Sequence, residues 1–152
     1  MEYVLSASKY FHSTTLYIMI TVEYNHLYIN DIAELYNDAG WGDFSAHTAE
    51  LEARWTSSTF TAFALQNDRV IGCIRVLSDR VSVTWIPEIL VAKAFRRQGI
   101  GRELIEIVLQ EFRHTDIYLE TFSHAAEFFE KCGLNARAGM VVCSKKHTQT
   151  SN

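Results

Sequence analysis

Three arginines and two glycines lie close together where an apolar run gives way to a helical pattern. The segment is Phe95-Arg96-Arg97-Gln98-Gly99-Ile100-Gly101-Arg102. Glycine lets the main chain turn tightly and approach a ligand, and the start of a helix presents unpaired N–H groups at the positive end of the helix dipole. Arginine adds charge and forked hydrogen-bond donors. Together these residues predict a backbone cradle for a phosphorylated ligand.

The helix predicted after this loop, Ile100 to Phe112, begins without a capping side chain. Its start has no Ser, Thr, Asp or Asn, although the first four N–H groups of a helix need partners. A bound phosphate supplies those partners in one interpretation, and water at an exposed helix end supplies them in the other. Arg97 and Arg102 likewise either contact the ligand or are simply solvated.

The elements around the loop alternate between strands and helices, which predicts a mixed α/β fold. Strands are predicted at 15–22, 60–65, 69–77, 81–91, 116–122 and 140–144, with a turn at Gln66-Asn67-Asp68 that closes a hairpin. Helices are predicted at 30–40, 46–55, 100–112 and 123–132. The first of these helices carries Asp31 and Glu34 at the spacing of a capping box.

The only proline of the chain, Pro87, falls inside the predicted strand at 81–91. Proline cannot donate a ladder hydrogen bond and is confined to strand edges and bulges. The sequence therefore predicts an irregularity in this strand, a few residues ahead of the arginine-glycine loop.

Length and composition favour one compact domain over residues 1–152. The chain has 152 residues, 48% of them hydrophobic, which is enough for one sizeable core. The formal net charge is −4, but four cations within ten residues, Lys93, Arg96, Arg97 and Arg102, leave −8 on the remainder. Such local positive charge favours a small anionic ligand over nucleic acid, which usually meets a broad basic face.

The three cysteines, Cys73, Cys132 and Cys143, form no CxxC motif and no regular pattern with the histidines. Neither a disulfide framework nor a metal site is predicted. The apolar stretch Leu16–Val22 is too short to span a bilayer, and the residues before it do not look like a secretion signal. We therefore expect a reduced cytoplasmic protein with no membrane partner.

With these elements in place, the chain resembles the GNAT superfamily of acetyl-coenzyme A-dependent N-acetyltransferases. Two segments carry the resemblance: Arg96 to Gly101 fits the family's (Q/R)xxGx(G/A) pyrophosphate loop, and Ala125 to Leu134 resembles its late helix, AxxFYEKxGF. A lone RxxGxG is a weak signal, but both segments in the right order and spacing are a strong one. Similar segments at Leu35–Trp41 and Gly72–Val76 extend the resemblance to roughly Ile29–Ser144.

The resemblance implies a mixed, mostly antiparallel α/β sheet flanked by helices and splayed between its fourth and fifth strands, here 81–91 and 116–122. Acetyl-CoA would lie in the splay. The cofactor-binding residues implied are Leu90, Val91, Arg96, Arg97, Gln98, Gly99, Ile100, Gly101, Arg102 and Phe129. The implied activity is that of an acyltransferase, moving an acetyl group to a primary amine of a small molecule or peptide.

The resemblance also suggests Glu88 as the catalytic base, because related proteins often carry an acid at this end of the strand. A base matters because an alkylamine with a pKa near 10.4 is neutral in only about one part in 10³ at pH 7. The alternative is a carboxylate tied to a neighbouring arginine or backbone donor. Both interpretations remain open.

The chain departs from the family pattern at Phe129, where the motif usually has a tyrosine that is thought to protonate the departing thiolate. Phenylalanine cannot do so. Four nearby side chains carry protons, but their spacing selects none of them: Tyr118, Ser123, His124 and Cys132. The missing hydroxyl keeps a second function open, a coenzyme A-binding module or sensor with weak or no catalysis.

The acceptor side of the site is less clear from the sequence. Four aromatic residues either line a cation-binding cleft or belong to the core: Tyr36, Trp41, Phe44 and Trp55. Arg75 and Asp79 either bind a carboxylate or form a surface pair. The acidic remainder of the chain favours a cationic acceptor. Predicted partners are the amine substrate and acetyl-CoA, with a homodimer left open.

Overall fold

The computed structural model describes residues 9–13 and 16–145, with side chains from residue 18 onward. Six strands form one sheet whose order follows the chain: β1 Lys9–Ser13, β2 Leu16–Thr21, β3 Phe60–Gln66, β4 Arg69–Ser78, β5 Val83–Val91 and β6 Asp116–Leu119. Neighbouring strands are antiparallel except β5 and β6, which are parallel. The helices are α1 Ile29–Asp38, α2 Thr48–Thr56, α3 Ile100–Glu111 and α4 Ala126–Lys131. The predicted mixed, mostly antiparallel α/β fold is confirmed.

Helices cover both faces of the sheet. On one face, α1 and α2 pack around a cluster that includes Phe63, Cys73 and Leu90. On the other face, α3 buries Phe112 edge-on against Phe60, with ring centroids 5.7 Å apart. Successive strand residues point to opposite faces, so the apolar runs of β3 and β4 serve both layers.

The hairpin between β3 and β4 forms as predicted. Asn67 and Asp68 have φ angles of 48° and 61°, the left-handed pair that a two-residue hairpin turn requires. Asn and Asp tolerate this conformation better than other residues with side chains. The turn sets the first pairs of the hairpin, Gln66 with Arg69 and Leu65 with Val70.

The predicted capping box at the start of α1 is wrong. The helix begins at Ile29, so Asp31 lies inside its first turn. The Asp31 carboxylate instead accepts the Val70 N–H at 2.8 Å and pairs with Arg69 Nε at 2.6 Å. Its oxygens therefore fasten α1 to the hairpin, a use that depends on contacts distant in sequence.

The predicted irregularity at Pro87 is present. The register between β4 and β5 shifts beyond Arg75, which pairs with Glu88, so that two β5 residues, Ile86 and Pro87, lie opposite one residue of β4. The parallel ladder between β5 and β6 also ends there, at Ile86 and Leu119, although β5 continues to Val91. The sheet thus opens at the strand that leads into the arginine-glycine loop.

The chain divides into two compact units, the first ending at Leu119 and the second beginning at Glu120. In the second unit, a short 3-10 turn at Ser123–Ala125 leads into α4, and Gly133 follows the helix with a φ of 90°. This agrees with the predicted helix at 123–132. A single domain over the whole chain stays a prediction.

The strand predicted at Met140–Ser144 is wrong. These residues lie outside helices and strands, and Met140, Val141 and Val142 are 61%, 83% and 64% exposed. High β-propensity alone does not form a strand, because a strand also needs a ladder partner and a packed face. The strand predicted at 116–122 is likewise shorter, ending at Leu119.

Candidate active site

Hydrogen bonds hold the first half of the arginine-glycine loop and the residues just before it. The Lys93 N–H donates to Asp38 Oδ2 at 2.7 Å, which joins the loop to the end of α1. The Arg96 Nε donates to the Val91 carbonyl at 2.9 Å, and the Gln98 amide donates to the Ala94 carbonyl at 3.2 Å. Arg96 therefore folds back on the strand that precedes it.

Two residues of the loop have left-handed backbone conformations. Arg97 has a φ of 60° and Gly99 a φ of 88°. Gly99 occupies the capping position of α3 without a side chain, and the first backbone bond of the helix runs from the Glu103 N–H to the Gly99 carbonyl at 3.0 Å. The absence of a side-chain cap, predicted from the sequence, is confirmed. The turn presents the start of α3 to solvent, the arrangement that suits an anion.

The base of this cradle is packed with little space to spare. A Cβ added at Gly72 would lie 3.1 Å from Ile100 Cγ2 and 3.2 Å from the Leu90 carbonyl oxygen. Glycine at this point of β4 lets the first turn of α3 approach the sheet. Ile100 and Leu90 are buried, so these two predicted site residues contribute through packing and the main chain.

Glu88 lies in a cluster of charges on the face of the sheet that carries α1 and α2. Its Oε2 pairs with Arg75 Nε, and its Oε1 lies 3.5 Å from Arg54 Nη1. The side chains of Glu88 and Arg75 are only 12% and 11% exposed, whereas that of Arg54 is 31% exposed. The Arg75 Nη1 also donates to Ser58 Oγ at 3.4 Å. The structure thus shows Glu88 tied to arginines, the arrangement that the sequence offered as one of its two alternatives.

Two buried polar atoms lie beside this cluster without a hydrogen bond in the described part of the chain. They are the Tyr36 hydroxyl and the Trp55 indole N–H, on side chains that are 1% exposed. Burial and the charge of Glu88 raise the pKa of Tyr36, which keeps its hydroxyl protonated. Buried polar groups are usually bonded, so a pair without partners marks a place where a water molecule or a ligand atom would be stabilised.

The aromatic residues of the predicted acceptor cleft have separate roles. Tyr36 and Trp55 are in the core, whereas Trp41 is 46% exposed. Trp41 and Phe44, in the segment between α1 and α2, meet the Tyr36 ring edge-on at centroid distances of 5.7 and 5.0 Å. The cleft interpretation therefore fits the two residues of the connecting segment, and the core interpretation fits the two on the helices.

Arg75 and Asp79 do not form the surface pair that the sequence left open. Asp79 accepts hydrogen bonds from the backbone N–H groups of Val81, Ser82 and Val83 at 2.8 to 2.9 Å. These bonds, led by that of Val83, hold the pKa of Asp79 well below its usual range. The carboxylate therefore serves the turn between β4 and β5, while Arg75 serves Glu88.

The remaining candidates in the second unit have local contacts. Phe129 is 7% exposed and meets Phe128 edge-on at 4.9 Å, and its carbonyl accepts the Leu134 N–H at 2.9 Å. His124 stacks on Phe122 with ring centroids 5.6 Å apart. The His124 ring thus lies against the exposed side chain of Phe122.

A family model identifies the family of this chain. The model described as the acetyltransferase (GNAT) family matches residues 22–134, which is more than half of the chain. The chain belongs to the GNAT family. This GNAT protein is therefore an acyltransferase, as its sequence motifs predicted. No curated protein sequence is a significant match to it.

Solved structures of known and probable acetyltransferases share its fold. A GNAT-family acetyltransferase from Streptococcus pneumoniae TIGR4 is 25% identical, with a TM-score of 0.69 over 85% of this chain and 99% of that one. A probable acetyltransferase from meticillin-resistant Staphylococcus aureus is 22% identical, with a TM-score of 0.72 over 85% and 100%. An aminoglycoside acetyltransferase from an uncultured soil sample is 16% identical, with a TM-score of 0.68 over 86% and 95%.

Two residues that contact the candidate site were not predicted from the sequence. Arg54 reaches Glu88 from α2, and Asp38 holds the main chain of the arginine-glycine loop from the end of α1. Arg54 belongs to no recognisable motif, and Asp38 lies in the segment Leu35–Trp41, whose resemblance assigned it no role. Each acts across a large separation in sequence. Within residues 9–13 and 16–145, no group of acidic, histidine or cysteine side chains is suited to a metal ion. Over the same residues, no helix has the length and apolarity to cross a membrane.

Proposed function

We propose that this GNAT protein transfers an acetyl group from acetyl-CoA to a primary amine of a small molecule or peptide. The proposal rests on the left-handed turn at Arg97–Gly99, after which α3 begins. This turn lies next to the part of β5 that extends beyond its ladder with β6. A pyrophosphate needs such a set of backbone N–H donors, and a pantetheine amide needs an open strand edge.

The residues present fit acetyl-CoA. Gly99, Ile100 and Gly101 would offer backbone N–H groups to the pyrophosphate, and the exposed Arg97 and Arg102 would add charge. The main chain of Leu90 and Val91 would lie along the pantetheine, although the Val91 carbonyl already accepts from Arg96. Gln98 and Arg96 hold the loop, and Phe129 is proposed to pack near the cofactor. Bound acetyl-CoA supplies an acetyl thioester, whose carbonyl carbon gains the bond to nitrogen as its bond to sulfur breaks.

The protein must take a proton from the substrate amine, since an ammonium has no lone pair with which to attack. Glu88 is the proposed base, acting directly or through a water molecule. Arg75 fixes its carboxylate through Oε2, and the protonated Tyr36 hydroxyl lies beside it. The other oxygen, Oε1, lies 3.5 Å from Arg54, whose guanidinium also lies over the Phe44 ring of the segment between α1 and α2.

Binding and turnover test the proposal in separate experiments. Acetyl-CoA affinity is measured by calorimetry, and thiol release is followed with a panel of primary amines. We expect Arg102→Ala to weaken acetyl-CoA binding about ten- to a hundredfold, the range of one hydrogen bond between charged groups. Arg113→Ala, which changes an exposed arginine near the far end of the same helix, should leave the affinity unchanged. Failure of the parent protein to bind acetyl-CoA would refute the proposed function.

The alternative function, a coenzyme A-binding module or sensor, rests on Phe129, which has no hydroxyl to protonate a departing thiolate. Tight acetyl-CoA binding without thiol release from any amine would favour it. Phe129→Tyr provides the complementary test. A higher rate of thiol release with an altered basic limb of the pH profile would indicate that the missing hydroxyl limits turnover, and an unchanged rate and profile would show that it does not.

A further inference from the structure

The Arg54 guanidinium lies between a carboxylate and an aromatic ring. Its Nη1 is 3.5 Å from Glu88 Oε1, and its Cζ is 5.4 Å from the centroid of the Phe44 ring. Arg54 is a residue of α2, and its side chain extends from that helix to the charge cluster around Glu88. A carboxylate and a ring face on either side of a cation are the two groups that recognise alkylammonium and guanidinium ions.

Arg54 is held more loosely than the other arginine of the cluster. Arg75 makes a close ion pair with Glu88 and is 11% exposed, whereas Arg54 is 31% exposed and lies beyond ordinary hydrogen-bond distance. Its second carboxylate partner, Glu50, is also 3.5 Å away and is 64% exposed. The exposed pair with Glu50 contributes little to stability, so the main cost of displacing Arg54 is its contact with Glu88, which an incoming ammonium would replace.

The charges that remain after Arg54 moves away select the ligand. Glu88 and Glu50 carry two negative charges and Arg75 carries one positive charge, so the vacated position faces a net charge of −1. Phe44 adds an aromatic face, which attracts cations and not anions. The Tyr36 hydroxyl, whose oxygen can accept from an ammonium N–H, lies beside Glu88. This environment matches one ammonium group at the end of an alkyl chain.

We propose that Arg54 occupies the position of the acceptor's ammonium group and that the acceptor is a primary alkylamine cation that displaces it. The inference rests on the proposed function and deepens it, because it names the substrate class and assigns Arg54 as the residue that tunes affinity for it. Arg54 is an internal competitor for Glu88, and its side chain turns outward into solvent when the amine binds.

The test measures amine binding and does not depend on acetyl transfer. The probe is 1,5-diaminopentane, titrated calorimetrically into the parent protein and into Arg54→Gln. We expect the variant to bind the diamine about two- to fivefold more tightly, the range that corresponds to loss of a partly exposed ion pair. Arg113→Gln, which removes the same charge from an exposed position, should bind as the parent does. Arg54→Lys, which keeps a competing cation, should fall between the parent and Arg54→Gln.

Unchanged or weaker diamine binding in Arg54→Gln, with a melting temperature near that of the parent, would overturn the inference. A matched amine that carries a carboxylate, β-alanine, tests the opposite role. If Arg54→Gln weakens β-alanine binding and leaves diamine binding unchanged, Arg54 recognises an anion and the proposal is wrong. Acetyl-CoA affinity, measured separately, reports on the proposed function, so the failure of one conclusion is distinguishable from the failure of the other.

Discussion

Gly72→Ala is expected to distort the arginine-glycine loop by forcing β4 and the first turn of α3 apart. The substitution changes no residue that would touch a ligand. The added Cβ would lie 3.1 Å from Ile100 Cγ2 and 3.2 Å from the Leu90 carbonyl oxygen. Carbon atoms prefer separations of about 3.5 to 4.0 Å, so β4 and the first turn of α3 must move apart by several tenths of an ångström. Ile100 is 1% exposed and has little space to withdraw.

The free energy of unfolding should fall by about 1 to 3 kcal/mol, the usual cost of one extra methyl group in a well-packed core. For a chain of this size each kcal/mol lowers the melting temperature by about 2 to 4 °C. Urea unfolding and thermal melts measure this loss. Calorimetry should also show weaker acetyl-CoA binding, because the strain falls on the turn that presents the N–H groups of Gly99 and Gly101.

A double-mutant cycle with Ile100→Ala tests the steric explanation. Removing Cγ2 relieves the closer carbon contact, so Gly72→Ala should be less destabilising in the Ile100→Ala background than in the parent. Gly40→Ala is the control, since an added Cβ there meets no atom within 4 Å and the change acts only through the positive φ of 76°. It should destabilise the protein by roughly 1 to 2 kcal/mol without weakening acetyl-CoA binding. Additive effects in the cycle would refute the reasoning.

Three further predictions concern stability and titration. Asp31→Ala should lower the free energy of unfolding in urea by about 1 to 3 kcal/mol, because the Val70 N–H loses its acceptor. Glu34→Ala, which removes only a surface ion pair, should lower it by less than about 1 kcal/mol. Tyr36→Phe should leave the melting temperature unchanged or raised, since the hydroxyl has no partner among the described residues; a clear fall would indicate that the hydroxyl is bonded. Burial raises the pKa of Tyr24 to about 12 from 10.0, so its stabilising contribution is complete below pH 10 and is lost as the pH rises through about 12. The difference in phenolate absorbance between the parent and Tyr24→Phe measures this, and a midpoint near 10 would contradict it.

Features that depend on local chemistry were predictable from the sequence. Pro87 cannot enter a regular ladder, and the strand register shifts next to it. Asn67 and Asp68 tolerate the left-handed conformation, and the hairpin turns at them. The start of α3 has no capping residue, and it is uncapped in the structure. In each case the residue type restricts its own backbone, whatever the rest of the chain does.

Features that depend on distant partners were not predictable. Asp31 has the spacing of a capping residue, but its carboxylate is used by Arg69 and Val70 of the hairpin. Glu88 had two open interpretations because the sequence cannot show which arginines reach it. Arg54 does so across 34 positions, from a helix whose own pattern carries no such signal. Side-chain ion pairs follow from the packed fold, so their members are found only when the fold is known.

The agreement between strand order and chain order also bears on how the protein folds. Each antiparallel pair joins strands that follow one another in the chain, so β3, β4 and β5 can pair by closing short loops. The parallel pair is different, because Val83 meets Asp116 only after the arginine-glycine loop and α3 have crossed over the sheet. Long closures form slowly. We therefore expect β6 to dock after β3, β4 and β5 have paired, so the loop and the opening at Pro87 are completed late in folding. A ligand that binds at the arginine-glycine loop would slow the undocking of β6.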